Sequence, residues 1–481
     1  MEVLFAAAEA APFAKTGGLG DVIGSLPSAL QKENIKVRVI MPLYGDIPLH
    51  FKDNMATIGK VTVPLAWRRQ PCALKRLDCQ GITFYFVDNE YYFKRTGLYG
   101  FADDTERFAF FCRAVLESLP YMDFTPRVLH CHDWHTGLIS VFLQAFYSNK
   151  SGAAIYDDLR TVLTIHNVAY QGVCGHFFLG DALGLGDEYY TEDRLKFNGG
   201  INFLKGGICF SDMVTTVSRT YSQEIKTPCF GEKLDPVLQK KGDSLLAVIN
   251  GLDYDLYDPW TDPAISCNYR SSLKKRARNK LKLQEILGLE VNENTPLLAV
   301  VSRLVEHKGF DLFKHILEEI LQMNVQLAVL GKGEERYEKM FLEAAHKFPG
   351  QAAARIMFDE TLARQVYAGS DLFLMPSRTE PCGLGQLIAL RYGSVPVVRE
   401  TGGLKDTVRP YDEKSGSGNG FTFKEFNAGD FLFAVKKALG YYERKDIWPK
   451  IVKNALKADY SWKEPAREYS RLYTKLQKTG R

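Results

Sequence analysis

Twice along this chain, short apolar runs alternate with amphipathic stretches long enough for a helix, and the rhythm breaks off and restarts near the middle. Residues 3–8, 37–41, 83–87, 128–131, 161–165 and 213–217 read as a first set of strands, with a helix over 20–31 and Pro42 ending the second strand. Residues 297–301, 326–330, 355–358, 372–375 and 395–398 read as a second set, separated by helical stretches at 311–322, 335–346, 362–368 and 384–392. A strand–loop–helix repeat of this kind predicts a mostly parallel sheet covered on both faces. The 481 residues also exceed what one hydrophobic core organises. The expectation is an α/β chain of two Rossmann-like, doubly wound domains, residues 1–248 and 249–460, divided where a strand runs into the Asn250-Gly251 turn. The tail from Asn427 reads as helices, the last of which, within 461–481, is expected to cross back to the first domain. Ligands of open parallel sheets bind beyond the carboxyl ends of the strands, so two such sheets facing one another are expected to form an interdomain cleft.

Composition narrows the function classes. A net charge of +4 without a long Lys/Arg block gives no electrostatic reason to propose nucleic acid or a membrane as partner. Nine scattered cysteines with no Cys-x-x-Cys pair point to reduced thiols. No apolar run approaches 18 residues, and the chain enters a strand-like run at Val3 without a basic leader, which predicts a cytoplasmic enzyme.

The loop Lys15-Thr16-Gly17-Gly18-Leu19-Gly20-Asp21 follows the first strand. It is no P-loop, because the lysine precedes the glycines, and no dinucleotide fingerprint, because the third glycine arrives one place late at Gly24. Glycines that admit a ligand close to the backbone, a helix N-terminus and a lysine nevertheless suit an anion better than a bare strand-to-helix turn does. In the second half Arg303 follows a strand directly and Lys308-Gly309 comes five residues later. A forked guanidinium and a compact ammonium at that spacing suit a diphosphate. Glu380 lies between a strand and a helix, where a carboxylate can grip sugar hydroxyls, and the N–H groups of Gly383, Leu384 and Gly385 follow it.

His166-Asn167 and Asn250 end predicted strands and can hydrogen-bond a sugar. His130-Cys131-His132-Asp133-Trp134-His135 invites a zinc reading, but Asp133 falls one residue early for a binuclear hydrolase and no second ligand cluster follows, so Asp133 and Trp134 read better as sugar contacts. Asp253-Tyr254-Asp255 matches a metal signature of single-domain sugar transferases, yet sits in the expected interdomain turn. No metal and no cofactor are expected.

Together these motifs resemble the bacterial glycogen synthase and plant starch synthase family from Met1 to about the end: Lys-x-Gly-Gly-Leu, His-Asp-Trp-His, Ile-His-Asn, Asn-Gly, Ser-Arg-Leu with Lys-Gly, and Glu-Pro-Cys-Gly-Leu. The resemblance implies the GT-B architecture and retaining transfer of glucose from ADP-glucose to the nonreducing end of an α-1,4-glucan, without a metal, in the cytoplasm or, for a plant-type protein, the plastid stroma. It implies that Lys15 and the Gly18 N–H contact the nucleotide sugar and that His166 and Asn250 position the glucosyl unit. Arg303 and Lys308 would hold the diphosphate, and Glu380 the donor sugar, with Cys382, Gly383 and Leu384 lining the pocket. Tyr367 would pack on adenine, and Asp21 and Asp133 are further binding candidates. One departure stands out: Gly385 replaces a threonine usual in the family, which removes a hydroxyl to phosphate contact. Ile388, where many other GT-B enzymes carry a ribose-gripping glutamate, fits the synthases. The rivals are a UDP-glucose-dependent synthase, a phosphorylase, which would need pyridoxal phosphate, a glucan-binding protein without turnover, and a zinc hydrolase.

Overall fold

The computed structural model describes residues 1–148 and 154–478, which divide into two compact units, Met1–Gly251 with the chain from Trp462 onward, and Leu252–Ser461.

The first unit is built on nine strands: β1 (Glu2–Ala6), β2 (Lys36–Pro42), β3 (Ala56–Leu65), β4 (Arg68–Cys79), β5 (Ile82–Asp88), β6 (Val128–His132), β7 (Arg160–Ile165) and, after a small three-stranded sheet of β8 (Val173–Gly175), β9 (Lys196–Phe197) and β10 (Gly200–Asn202), β11 (Met213–Thr216) and β12 (Leu245–Ala247). Their order is β12-β11-β7-β6-β1-β2-β5-β4-β3, parallel except where β4 pairs antiparallel with both β5 and β3. Strand order reverses between β1 and β6, so the loops after these two strands flank a switch point, where open α/β sheets bind ligands. The loop after β1 leads into the helix Gly18–Lys32, which buries Leu19, Val22, Ile23, Leu26 and Leu30 at helical spacing against the sheet. The closing helix Lys463–Lys478 buries Ala466, Tyr469, Leu472, Tyr473 and Leu476 in the same way. Tyr473 reaches the sheet itself, with its hydroxyl 2.7 Å from His130 Nδ1, and Arg467 bonds Glu33 at the end of the first helix. Where the chain leaves and re-enters this unit the backbones touch: a Cβ on Gly251 would lie 2.6 Å from Trp462 Cα.

The second unit holds β13 (Leu297–Val301), β14 (Gln326–Leu330), β15 (Ala352–Arg355), β16 (Leu372–Met375), β17 (Val395–Arg399) and β18 (Phe421–Phe423), all parallel in the order β15-β14-β13-β16-β17-β18. This is the dinucleotide-fold order 3-2-1-4-5-6, with its switch point between β13 and β16. The helix Phe310–Leu321 presents Phe310, Phe313, Ile316, Leu317 and Ile320 to a core shared with Leu298, Val300, Leu327 and Val329.

Two expectations need correction. The strand expected at 355–358 is Ala352–Arg355, and Phe358 beyond it is 81% exposed. Three alanines carry little strand signal, whereas the apolar run Ile356-Met357-Phe358 imitates one. The β3–β4 hairpin was also not anticipated, because Pro64, Pro71 and a largely polar outer face blur its alternation.

Candidate functional site

The loop after β1 is held from beneath by a carboxylate the sequence did not single out. Glu9, 4% exposed, accepts hydrogen bonds from Thr16 N (2.7 Å), Thr16 Oγ1 (2.8 Å) and the Tyr99 hydroxyl (2.8 Å). Thr16 and Gly17 are thereby fixed ahead of Gly18, the first residue of the helix. Lys15 pairs with Asp21 at 2.8 Å, both about one quarter exposed, so the ammonium sits over the first helical turn. A side chain at position 20 would collide with Lys15, its Cβ falling 2.9 Å from Lys15 Cβ. Lys15, Gly18 and Asp21 therefore belong to one turn at the switch point of the first unit.

Next to it, after β6, Asp133 adopts φ +60°, an uncommon conformation for a residue with a side chain. Its Oδ1 accepts the N–H groups of His166 (2.7 Å) and Asn167 (3.3 Å) at the end of β7, which ties the two loops together. Burial pushes the Asp133 carboxyl up to about 7, against the lowering effect of those two N–H donors. His166 Nε2 lies 3.0 Å from His132 Nδ1, and desolvation pulls His166 down to about 3, so its ring is neutral. Burial depresses His130 and His132 well below the usual histidine range. His130 spends both nitrogens on Tyr473 and on Thr164 Oγ1, 2.6 Å away. Asn250, 6% exposed, has a buried Oδ1 with no hydrogen-bond partner among the described residues. The loops after β6 and β7 thus offer neutral hydrogen-bonding groups on a largely buried floor, which suits sugar hydroxyls. Among the described residues no group of three or more His, Cys, Asp or Glu is arranged to hold a metal ion.

In the second unit the loops after β13 and β16 bracket the other switch point. Arg303, just beyond β13, is exposed. Lys308 Nζ donates to Glu380 Oε2 at 2.6 Å, and Ser377 Oγ donates to the same oxygen at 3.0 Å. The lysine side chain is 17% exposed and the carboxylate 8%, so each charge depends on the other for compensation. Two glycines make the approach possible. A Cβ at Gly309, φ +81°, would lie 2.0 Å from the Pro376 carbonyl, and one at Gly402, φ +43°, 1.9 Å from the carbonyl of Glu380. Gly402 and Gly403 open the helix Gly402–Thr407, and Gly403 N–H donates to the Glu380 and Pro381 carbonyls; the sequence reading passed over both. Arg399 braces the loop from below through the Ser377 carbonyl at 2.9 Å.

Cys382 is buried and Gly383 takes φ +74° just before the helix Gly385–Tyr392, whose N-cap is Leu384. Gln386 holds this turn by donating to the Cys382 (3.0 Å) and Gly383 (2.8 Å) carbonyls. At Gly385 a Cβ would come within 3.2 Å of the Phe373 ring and 3.4 Å of the Tyr367 hydroxyl. Tyr367 itself is 5% exposed and packs on Phe373 with ring centroids 5.0 Å apart, so it offers no open face to a base. The exposed ring at the carboxyl edge of this sheet is Phe358, just past β15.

Comparison with known proteins gives the family. Residues 2–240 match the family described as the starch synthase catalytic domain, and residues 284–454 match glycosyl transferases group 1. A glycogen synthase of Desulforamulus reducens is 52% identical over 99% of both chains. The chain belongs to the glycogen and starch synthase family. A second family member, the glycogen synthase of Clostridium novyi, is 50% identical with the same coverage. The catalytic domain of starch synthase IV from Arabidopsis thaliana, solved bound to ADP and acarbose, superposes with a TM-score of 0.92 at 33% identity over 99% of each chain. The fold is GT-B, and the protein is a glycosyltransferase. A sucrose-phosphate synthase from Thermosynechococcus elongatus, 15% identical with a TM-score of 0.63, shares the fold.

Proposed function

We propose that this chain transfers glucose from ADP-glucose to the nonreducing-end 4-hydroxyl of an α-1,4-glucan, with retention of configuration and release of ADP. The observation that carries the reading is the Lys308–Glu380 pair at the switch point of the second unit, beside exposed Arg303, in a chain about half identical to glycogen synthases along its whole length. On this reading Arg303 and Lys308 hold the diphosphate, with the N–H groups near Gly383 at the helix N-terminus. Lys308, released in part from Glu380, neutralises charge on the departing ADP. Glu380 then turns to the hydroxyls of the donor glucose. Cys382 and Leu384 line that pocket, and Phe358 rather than Tyr367 provides the ring beneath adenine.

In the first unit Lys15 and the Gly18 N–H contact the nucleotide sugar, and Asp21 holds the lysine until it arrives. Asn250 and neutral His166 accept and donate hydrogen bonds to the glucosyl unit, while Asp133 fixes the backbone of His166. Asp133 is a poor covalent nucleophile, since one oxygen holds two backbone N–H groups and burial favours its protonated form near pH 7. Front-face attack by the acceptor hydroxyl, with the leaving phosphate as base, therefore fits best. Nine free cysteines support a reducing compartment such as the cytoplasm, and among the described residues no helix is long and apolar enough to cross a membrane.

Nucleotide release from ADP-glucose and UDP-glucose, measured side by side with and without glycogen, tests the reading. Glycogen-dependent release from ADP-glucose is the expected result. Release from neither donor would overturn it, and preference for UDP-glucose would move the donor assignment.

A further inference from the structure

The β3–β4 hairpin ends in an exposed tryptophan that the fold takes trouble to immobilise. Leu65 and Arg68 bound a two-residue turn in which Ala66 has φ +52° and Trp67 is 73% exposed. The indole Nε1–H donates to Asp181 Oδ1 at 3.0 Å, and Arg68 donates to Asp181 Oδ2 at 2.9 Å and to the Asp181 carbonyl at 2.6 Å. The Arg68 guanidinium also lies over the indole, 4.4 Å from its centroid, and backs one face. Behind the turn, a Cβ on Gly184 would sit 3.2 Å from Ala66 Cα, so the hairpin tip is seated on the segment that follows the helix Phe178–Asp181. Phe177, 71% exposed, stands one turn before Asp181, whose N–H bonds the Phe177 carbonyl, so both residues lie on one face. Two exposed rings therefore flank a carboxylate and a guanidinium held in fixed positions.

We propose that Trp67 and Phe177 form a stacking platform for an α-glucan chain, gripping sugar units of the acceptor away from its reacting end. An exposed, locked indole presents a flat apolar face that matches the C–H face of a pyranose, and its polar rim suits the hydroxyls around that face. The position of the hairpin favours this occupant. Ala73 of β4 pairs with Asp88, the last residue of β5, so residues 68–72 overshoot the carboxyl edge of the sheet. At about 3.3 Å per residue this carries Arg68, next to Trp67, roughly 16 Å beyond that edge, on the side where Asp133 and His166 also lie. The proposal rests on the reading of an α-glucan as acceptor.

The test compares wild type, Trp67→Ala, Phe177→Ala and Trp67→Phe by electrophoretic retardation in glycogen-containing gels and by steady-state kinetics with glycogen and with maltotriose. Trp67→Ala should weaken glycogen retardation and raise KM for glycogen about tenfold, equivalent to about 1.4 kcal/mol. Its kcat and its KM for ADP-glucose should stay unchanged, maltotriose should be affected least, and Trp67→Phe should recover most of the affinity. Unchanged glycogen retardation and KM in both alanine variants would overturn the platform. So would a loss of self-association in sedimentation with glycogen affinity intact, which would assign the rings to a contact between copies. If wild type binds glycogen through Trp67 but releases no ADP from ADP-glucose, the platform stands and the transferase reading fails.

Discussion

The loops after β6 and β7 and the loops after β13 and β16 differ in how they hold charge. In the first unit the groups around β6 and β7 are buried, and His130, His132 and His166 are held neutral by desolvation. In the second, the loops after β13 and β16 carry full charges, with Lys308 and Glu380 compensating one another beside an exposed arginine. Neutral donors and acceptors on a largely buried floor discriminate hydroxyl geometry, whereas paired charges at a loop mouth exchange partners when a phosphate arrives. The division predicts that the neutral groups after β6 and β7 position sugar hydroxyls and that the basic side chains after β13 stabilise the leaving group.

The largest expected effect lies on the charged side. Arg303→Ala or Lys308→Ala should lower kcat by at least about 10²-fold, the usual cost of one preorganised donor. Near wild-type turnover in either would remove the leaving-group assignment. Lys308→Ala also strands the buried Glu380, so its melting temperature should fall, while that of Arg303→Ala should not. Equal melting temperatures for the two variants would show that the pair is not compensating a buried charge.

The second effect is on stability, and it falls on the neutral side. Burial depresses His130, His132, His135 and His166, the last two to about 3. A base depressed in the folded state contributes its full stability above its unfolded pKa of about 6.5 and loses it as pH falls below that value, by about 1.4 kcal/mol per group and pH unit. Asp133 opposes this: raised to about 7, it favours the folded state as pH falls from 7 towards its unfolded value. One group offsets only part of what four lose. Hydrogen exchange at pH 5 against pH 8 should show β6 and β7 losing protection while β13 and β16 keep theirs. Uniform loss across both sheets would contradict the comparison.

The smallest effect sharpens the charged side. Gly385→Thr adds a hydroxyl at the helix N-terminus, where its Cβ must press on Phe373 and the Tyr367 hydroxyl. KM for ADP-glucose should fall a few-fold, kcat should hold within about twofold, and the melting temperature should drop slightly. Gly385→Ala should show the stability loss without the gain in affinity; an equal KM in both variants would show that the hydroxyl does not reach the phosphate.

Strand order explains how much of this was legible in the sequence. Arg303, Lys308 and Glu380 stand in the loops that follow apolar runs, and loops after parallel strands converge at a switch point whatever the intervening length, so their assembly could be expected. Glu9 could not be recognised, because its role is set by Tyr99, ninety residues away. Gly402 and Gly403 were passed over for a similar reason: their value is the close approach to Glu380 and Cys382, a purely tertiary requirement. Tyr367 was favoured for the base because aromaticity is visible in a sequence and burial is not, whereas the structure packs it on Phe373 and leaves Phe358 exposed.

The central proposal is that Arg303 and Lys308, in the loop after β13, serve the diphosphate of the donor. Calorimetric titration of ADP into wild type, Arg303→Ala, Lys308→Ala and the double variant measures it directly. Each single substitution is predicted to weaken ADP binding and the double variant to weaken it further; wild-type ADP affinity in Arg303→Ala would contradict it.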